Sequence, residues 1–171
     1  RLNRTELASI RIKEEPETHY YKGDALDLTG LVIEATYING DKEDITEGYT
    51  TNPSNGDVLN EKGTTSIEVI YRGQRTSFNI TVQEVELTGI RITKDPNNKS
   101  YIEGQELDLS GMEVTADYNN GKSKVVTNYT TNPVAGTEVT QELEEIVVSY
   151  TEGGITKEAT LNLEAVGITN L

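Results

Sequence analysis

Apolar and polar residues alternate one by one in several short stretches of this chain. In the clearest stretch the apolar positions are Leu31, Ile33, Ala35 and Tyr37, each separated from the next by one residue. A period of two residues is typical of a β-strand that covers a core with one face. Comparable alternation recurs further along the chain, and no stretch shows the 3.6-residue period of an amphipathic helix. The pattern therefore predicts an all-β fold.

The same ordered series of residues occurs twice in the chain, about 80 residues apart. Residues 7–12 (LASIRI) return as residues 87–92 (LTGIRI). Further segments that match in the same order are 26–30 with 107–111, 35–40 with 116–121, and 49–53 with 129–133. An ordered series of this length indicates a duplication, and we predict two domains, residues 1–84 and residues 85–171.

The alternating stretches of the first copy have counterparts in the second. The pairs that we expect are residues 31–37 with 112–118, residues 67–71 with 146–150, and Phe78, Ile80 and Val82 with Ala159, Leu161 and Leu163. Between strands, Asn39-Gly40 and Asn120-Gly121 predict hairpin turns of type I′, which need a positive φ at both central residues. About seven short strands per copy, at roughly ten-residue spacing, predict a β-sandwich or a small barrel.

Charge and composition narrow the choice of partners. The chain has 171 residues with 29 acidic and 15 basic side chains, which gives a formal net charge of -14. Such a surface repels phosphate groups, so we expect neither nucleic acid nor anionic lipid as a partner. There is no cysteine, and no apolar run approaches the roughly 20 residues that span a bilayer, so we expect no disulfide and no membrane insertion. The chain starts at Arg1 without a methionine, and we interpret it as a piece of a longer protein.

Both copies resemble one known family in their turn and core residues. Each copy has Gly-x-x-Leu-Asp-Leu-Ser/Thr-Gly, then a strand that ends in Ala-x-Tyr-x-Asn-Gly, and then Tyr-Thr-Thr-Asn-Pro. This order is similar to the bacterial immunoglobulin-like domain, group 3, present here as a tandem pair. The resemblance implies two all-β, immunoglobulin-like sandwich domains of exported proteins, mainly from Gram-positive bacteria. It implies an extracellular or cell-surface location and no shared catalytic residues.

Residues that could catalyse a reaction are sparse. His19 is the one histidine of the sequence, and Ser100 stands at its place in the second copy. No nucleophile elbow, phosphate-binding loop or metal-ligand spacing of histidines or cysteines occurs. We therefore expect no catalytic residues, no bound cofactor and no enzyme activity in this chain.

Calcium is the one cofactor that the carboxylates bring into consideration, because several converging oxygens bind it. Asp41, Glu43 and Asp44 cluster after the first hairpin, whereas Asp27 and Asp108 recur in the Leu-Asp-Leu motif. Lysines stand at two of the matching hairpin positions in the second copy, so a solvated hairpin is the favoured interpretation of the first group. For the recurring pair we favour carboxylates that accept backbone N–H bonds in a turn.

The tyrosines raise a second candidate chemistry, a platform for carbohydrate. Tyr37, Tyr71, Tyr118 and Tyr150 are in phase with the aliphatic positions, which predicts that they pack in the cores with their hydroxyls at the rim. Our leading hypothesis is a non-catalytic spacer or stalk module of a bacterial cell-surface or secreted protein, whose partners are neighbouring domains of the same chain. The alternatives are an adhesive module that binds a cell-wall polymer, a glycan or a host protein, and an accessory domain of an extracellular hydrolase.

Overall fold

Short antiparallel strands form nearly all of the regular structure in residues 6–168, the part of the chain that the computed structural model describes. Residues 1–5 and 169–171, at the outer ends of the two predicted domains, lie outside the described residues. The chain divides into two compact units, with the boundary between Glu84 and Val85.

The first unit is a sandwich of two sheets. One sheet has three antiparallel strands in the order β1-β3-β4, and the other has four strands in the order β2-β7-β6-β5, in which β2 runs parallel to β7. Strand β1 also contacts β7, so the two sheets face each other across a core. The strands are β1 (Leu7–Glu14), β2 (His19–Tyr21), β3 (Val32–Tyr37), β4 (Lys42–Ile45), β5 (Thr50–Asn52), β6 (Gly63–Tyr71) and β7 (Gln74–Gln83).

The alternation predicted from the sequence decides which side chains enter this core. Ile33 and Ala35 are 0% exposed on β3, and Ile67 and Val69 are 0% exposed on β6, while most residues between such positions reach the surface. The remaining buried apolar side chains of this cluster are Ile10, Tyr20, Leu26, Leu28, Leu31, Tyr37, Ile45, Leu59, Tyr71, Phe78, Ile80 and Val82. An aliphatic core with a few tyrosines at its rim is what the sequence predicts.

The second unit repeats this architecture. Its three-stranded sheet has the order β11-β10-β8, and its second layer consists of β12-β13-β14 together with the parallel pair β15-β9. The strands are β8 (Leu87–Lys94), β9 (Ser100–Ile102), β10 (Glu113–Tyr118), β11 (Ser123–Val126), β12 (Thr130–Asn132), β13 (Glu145–Glu152), β14 (Ile155–Asn162) and β15 (Glu164–Val166). Strands β14 and β15 together take the place of the single strand β7 of the first unit.

The register of the β13–β14 hairpin corrects one predicted correspondence. In the first unit Tyr71 pairs with Gln74 across the turn, whereas in the second unit the matching Tyr150 pairs with Lys157. The second hairpin is therefore longer by two residues on each strand. As a result, the structural counterparts of Phe78, Ile80 and Val82 are Leu161, Leu163 and Ala165, and the predicted match to Ala159, Leu161 and Leu163 is wrong by two residues.

The turns also differ from the prediction. Gly40 and Gly121 have φ values of 90° and 78°, but Asn39 and Asn120 have no positive φ. The Tyr37 N–H donates to the Asp41 carbonyl at 2.9 Å, which closes a three-residue loop with glycine at its left-handed position. The predicted type I′ turns at these sites are wrong, because the asparagine acts through its side chain instead: Asn39 Oδ1 accepts the Asp41 N–H at 3.0 Å.

Two-residue turns with positive φ at both positions occur instead in the longer hairpins. The β6–β7 turn consists of Arg72 (φ 46°) and Gly73 (φ 83°), and the β13–β14 turn consists of Gly153 (φ 59°) and Gly154 (φ 80°). These values are those of a type I′ hairpin turn. The positive φ of Arg72 is unfavourable for a residue with a Cβ atom. Its guanidinium lies 5.1 Å from the centre of the Tyr71 ring.

Candidate functional site

A buried tyrosine fastens the Leu-Asp-Leu segment in each unit. The Tyr20 hydroxyl donates to the Asp27 carbonyl at 3.0 Å and accepts the Asp27 N–H at 3.1 Å. The Tyr101 hydroxyl makes the same two bonds to the backbone of Asp108, at 2.9 Å and 3.0 Å. We call this arrangement the tyrosine clamp. Sequence analysis missed it, although the constant seven-residue spacing between tyrosine and aspartate in both copies is a signal that points to it.

The side chains of Asp27 and Asp108 form turns next to the clamp. Asp27 Oδ1 accepts the Thr29 N–H at 3.0 Å, and Asp108 Oδ1 accepts the Ser110 N–H at 2.9 Å and the Ser110 hydroxyl at 2.5 Å. Hydrogen bonds with the side chain and then the backbone N–H of Thr29 lower the pKa of Asp27, and those of Ser110 lower the pKa of Asp108. Both aspartates therefore have the turn-forming role that the sequence favours for them.

The acidic hairpin carboxylates are not brought together. Glu43 and Asp44 are neighbours on β4, so they point to opposite faces of the sheet. Glu43 accepts the Tyr37 hydroxyl at 2.7 Å, Asp44 accepts Lys13 Nζ at 2.9 Å, and Asp41 accepts Asn39 Nδ2 at 3.1 Å. Within residues 6–168 no group of three or more His, Cys, Asp or Glu side chains is placed to hold a metal ion.

His19 lies on β2 with its side chain 81% exposed. Its Nδ1 is 3.2 Å from the Thr18 hydroxyl and 3.9 Å from a Glu17 carboxylate oxygen. No activated nucleophile lies next to it among these contacts, and the arrangement is that of a surface side chain.

The rim tyrosines find carboxylate acceptors in both units, but the acceptor differs. Tyr37 of the first unit donates to Glu43 on the adjacent strand, and Lys124 occupies the matching position in the second unit. There the Tyr118 and Tyr150 hydroxyls both donate to Glu152 Oε1, at 2.6 Å and 2.7 Å. Glu152 belongs to the extra length of the β13–β14 hairpin and points to the same face as Tyr150, which explains how it reaches both hydroxyls.

Tyr118, Tyr150 and Glu152 form a Tyr-Glu cluster, and its geometry shifts the pKa values of its members. Hydrogen bonds from Tyr118 and Tyr150, with Lys124 Nζ at 3.7 Å, lower the pKa of Glu152. Burial and the neighbouring carboxylate raise the pKa of Tyr118. The cluster is thus satisfied internally, which supports a structural role for it.

The outer faces of the three-stranded sheets carry polar networks of different composition. In the first unit Arg11 Nε donates to Glu34 at 2.9 Å, and Lys42 lies 3.6 Å from the same carboxylate. In the second unit Arg91 makes two bonds to Asp117, at 2.7 Å and 2.9 Å, and with Ser123 lowers the pKa of Asp117 to about 2. The core face is kept between the copies while this face changes, as the sequence predicts.

A shallow groove of about 700 Å³ opens on the first unit. It is lined by residues 28–32, residues 46–51, Ser54 and Asn55, which lie in the Leu-Asp-Leu segment, the β4–β5 loop, β5 and the turn after β5. Tyr49 packs against the core and is half-buried in the wall of the groove, and burial raises its pKa. Sequence analysis missed this groove because its walls come from segments about 20 residues apart whose meeting depends on the sandwich.

At the matching position the second unit has a smaller depression with a different lining. Ser54 and Asn55 are replaced by Val134 and Ala135, and the loop before Tyr129 is one residue shorter than the loop before Tyr49. This depression of about 510 Å³ is lined by residues 106–110 and Ala135, and Leu109, Ser110 and Ala135 are the counterparts of Leu28, Thr29 and Asn55. Both units thus have a depression here, but the segment before and within β5 lines it in the first unit only.

Two facing sheets of short antiparallel strands define an immunoglobulin-like β-sandwich module. The tyrosine clamp fastens it, and no catalytic groups converge within residues 6–168. Residues 13–82 match the bacterial Ig-like domain (group 3). The first unit therefore belongs to the bacterial Ig-like domain family, group 3.

Similarity to known proteins extends beyond the first unit. Pectate lyase L of Thermoclostridium stercorarium is 31% identical over 145 residues, which is 84% of this chain and 11% of that protein. The chain thus spans about a tenth of the length of this relative. No helix among the described residues has the length and apolar character to cross a membrane.

Among solved structures, the chain is similar to surface layer protein SbsC. For domains 1–6 of that protein the TM-score is 0.43 at 15% identity, with 96% of this chain and 28% of that chain covered. For domains 4 and 5 the TM-score is 0.40 at 18% identity, with 95% and 100% covered. At these values the likeness adds nothing to the assignment of function.

Proposed function

We propose that this chain is a non-catalytic pair of bacterial Ig-like modules that serves as a spacer within a larger extracellular protein. The observation that carries the proposal is that the residues shared by the two copies all have structural roles. Tyr20 and Tyr101 clamp the backbone, Asp27 and Asp108 close turns, and the shared apolar residues fill the cores. What is duplicated therefore maintains a fold, whereas the surface groups differ between the copies.

Membership of the second unit in the same family is part of this proposal. Its support is the ordered sequence repeat, the same arrangement of three-stranded sheet and second layer, and the repeated tyrosine clamp. The likeness to pectate lyase L covers 145 residues, more than either unit contains, so it includes residues of both.

An accessory role in an extracellular polysaccharide-degrading enzyme is a second candidate, and the similarity to a pectate lyase, which is a lyase and not the hydrolase expected from the sequence, favours this broader class. The name of that relative states that it cleaves pectate, a polysaccharide, and this chain corresponds to 11% of it. Similarity to an enzyme that acts on a polysaccharide supports an extracellular location for the module pair. In such a protein the catalytic domain would be a neighbouring domain of the same chain.

The test compares three forms of the complete protein that contains this chain: the unmodified form, a form without both units, and a form with an unrelated pair of sandwich domains of equal length. Turnover of a small soluble substrate and turnover, or binding, at an insoluble surface are measured for each. We expect removal of the units to leave soluble turnover unchanged within about twofold and to reduce the surface reading, because a spacer acts on access.

The replacement form separates the candidates. Recovery of the surface reading by the unrelated pair supports a spacer, whereas failure of the unrelated pair to restore it shows that these units bind something themselves. Loss of soluble turnover on deletion would contradict the proposal, since a spacer does not contribute to chemistry. Co-sedimentation of the isolated chain with Gram-positive cell walls, with and without calcium, checks the binding alternative directly.

A further inference from the structure

The groove of the first unit contains polar groups that have no partner within the described residues. Among its polar lining residues Tyr49 is half-buried, and Thr46, Glu47 and Asn55 are exposed. The Thr46 hydroxyl, the Glu47 carboxylate, the Tyr49 hydroxyl and Asn55 Nδ2 have no hydrogen bond or ion pair in residues 6–168. Asn55 is fixed in place because its Oδ1 accepts the Leu28 N–H at 2.8 Å, which leaves its amide hydrogens directed to a ligand or to solvent.

An aromatic ring lies among these groups. Tyr49 is held by packing against the core and is partly open on its groove side, with Leu28 and Val32 also in the lining. A rigid ring beside hydrogen-bonding groups suits a ligand with one apolar face and a periphery of hydroxyls. Sugars have this character, since their ring C–H groups form apolar faces and their hydroxyls both donate and accept.

Charge narrows the class of sugar. Glu47 is the one charged side chain in the lining, and the chain as a whole has a net charge of -14. A polyanion such as pectate is repelled by this field, whereas a neutral chain is not. The volume of about 700 Å³ lies within the usual range of small-ligand sites.

We propose that this groove binds a short segment of a neutral polysaccharide, with one sugar ring on Tyr49 and its hydroxyls bonded to Thr46, Glu47 and Asn55. The polar lining belongs to the first unit, because Ala135 replaces Asn55 and the depression of the second unit is not lined by the loop between β11 and β12. This inference goes beyond the spacer role, because it gives the first unit a ligand of its own.

The experiment is an NMR titration of the isotope-labelled 171-residue chain with three hexasaccharides: β-1,4-linked glucose, β-1,4-linked xylose and α-1,4-linked galacturonate. Concentrations reach about 5 mM, because an open groove of this kind is expected to bind weakly. We expect saturable shifts of backbone amides in residues 28–32 and 46–55 with one of the neutral sugars. We expect at least tenfold weaker binding of galacturonate.

Three variants assign the binding to the groove. Tyr49→Ala is expected to weaken binding about tenfold, and Tyr49→Phe, which keeps the ring, by less than about threefold. Tyr129→Ala removes the equivalent side chain from the second unit and is expected to leave binding unchanged. The amide spectrum of each variant reports whether its own unit remains folded, and if Tyr49→Ala unfolds the first unit, the location of the shifts in the unmodified chain decides the test.

Three results would overturn the proposal. They are the absence of saturable shifts with either neutral sugar, shifts confined to the second unit, and equal binding of Tyr49→Ala and the unmodified chain. Tighter binding of galacturonate than of the neutral sugars would refute the charge argument. A failed titration would leave the spacer proposal intact, since the spacer test measures the complete protein.

Discussion

Replacement of Tyr20 by phenylalanine tests the tyrosine clamp with the loss of a single oxygen atom. The hydroxyl donates to the Asp27 carbonyl at 3.0 Å and accepts the Asp27 N–H at 3.1 Å, and Tyr20 is 5% exposed. Phenylalanine keeps the ring in the core but leaves both backbone groups of Asp27 without this partner. The variant therefore isolates the hydrogen bonds from the packing.

The expected cost follows from the two bonds. A typical intramolecular hydrogen bond contributes about 1 kcal/mol net, and a buried group left unsatisfied costs about 1–3 kcal/mol. For two bonds to a partly buried backbone we expect Tyr20→Phe to lower the free energy of unfolding of the first unit by about 2 kcal/mol. A unit of this size has an m-value of about 1 kcal/mol per molar urea, so the midpoint falls by about 2 M.

The assay is urea unfolding followed by NMR, in which separate amide signals report the two units. Tyr21→Phe is the matched control, since Tyr21 is the next residue and its hydroxyl has no hydrogen bond within residues 6–168. We expect the midpoint of the first unit to fall in Tyr20→Phe alone, while the second unit keeps its midpoint. A shift below about 0.5 M, or an equal shift in Tyr21→Phe, would refute the reasoning.

Three further perturbations test other features. The pKa of Asp117 in the folded protein is about 2, below its ordinary value of 3.8, so its contribution to stability is present above about pH 4 and is lost as the pH falls toward 2. Asp117→Asn should remove this part of the acid dependence, which thermal unfolding between these pH values measures. An unchanged dependence of stability on pH would contradict the prediction. Glu106 and Glu138 face each other in an antiparallel bridge where the first unit has Ala25 and Val58. Because like charges repel there, Glu138→Gln should raise the free energy of unfolding of the second unit by up to about 1 kcal/mol, and by less in high salt. An unchanged free energy of unfolding at low salt would exclude repulsion between these two carboxylates. Arg72 has a positive φ, which is less unfavourable for asparagine than for arginine. Arg72→Asn should therefore raise the urea midpoint of the first unit by about 0.5–1 M. A lower midpoint would show that the contact between Arg72 and Tyr71 stabilises the unit by more than the backbone conformation costs.

Much of the fold could be predicted from the sequence because two independent signals agree. The alternation at residues 31–37 places Ile33 and Ala35 on the core face, and both are 0% exposed in the structure. The repeat shows which of these positions are kept, since their counterparts Val114 and Ala116 are also 0% exposed. Apolar residues at every second position, with residues between them that differ from one copy to the other, are sufficient to predict a strand with one buried face.

Register could not be predicted in the same way. An alternating stretch matches its partner equally well after a shift of two residues, because the same face is then still buried. The match of Phe78 to Ala159 instead of Leu161 is an error of this kind, and only the backbone pairing across the hairpin resolves it. The turn at Asn39-Gly40 was assigned the wrong type because asparagine there bonds through its side chain, a choice that the dipeptide does not reveal.

The candidate sites were less predictable than the fold, for a related reason. Asp27 could be assigned to a turn because its partner, Thr29, is two residues away in the sequence. The tyrosine clamp depends on the fold, since Tyr20 and Asp27 meet only when β2 is in its sheet. The groove depends on it still more, because its walls come from distant segments. Local hydrogen bonds can be anticipated from a sequence, and surfaces assembled by sheet packing cannot.

The extra length of the β13–β14 hairpin shows how this module can change in size. The second unit has two more residues on each strand than the first, so every side chain below the tip keeps its face, and both turns are two-residue turns. A gain of one residue on one strand would instead have turned the apolar row toward solvent or required a bulge. The tip is thus a place where the protein accommodates insertions in even steps, and a designer who grafts a peptide there has the same rule to follow.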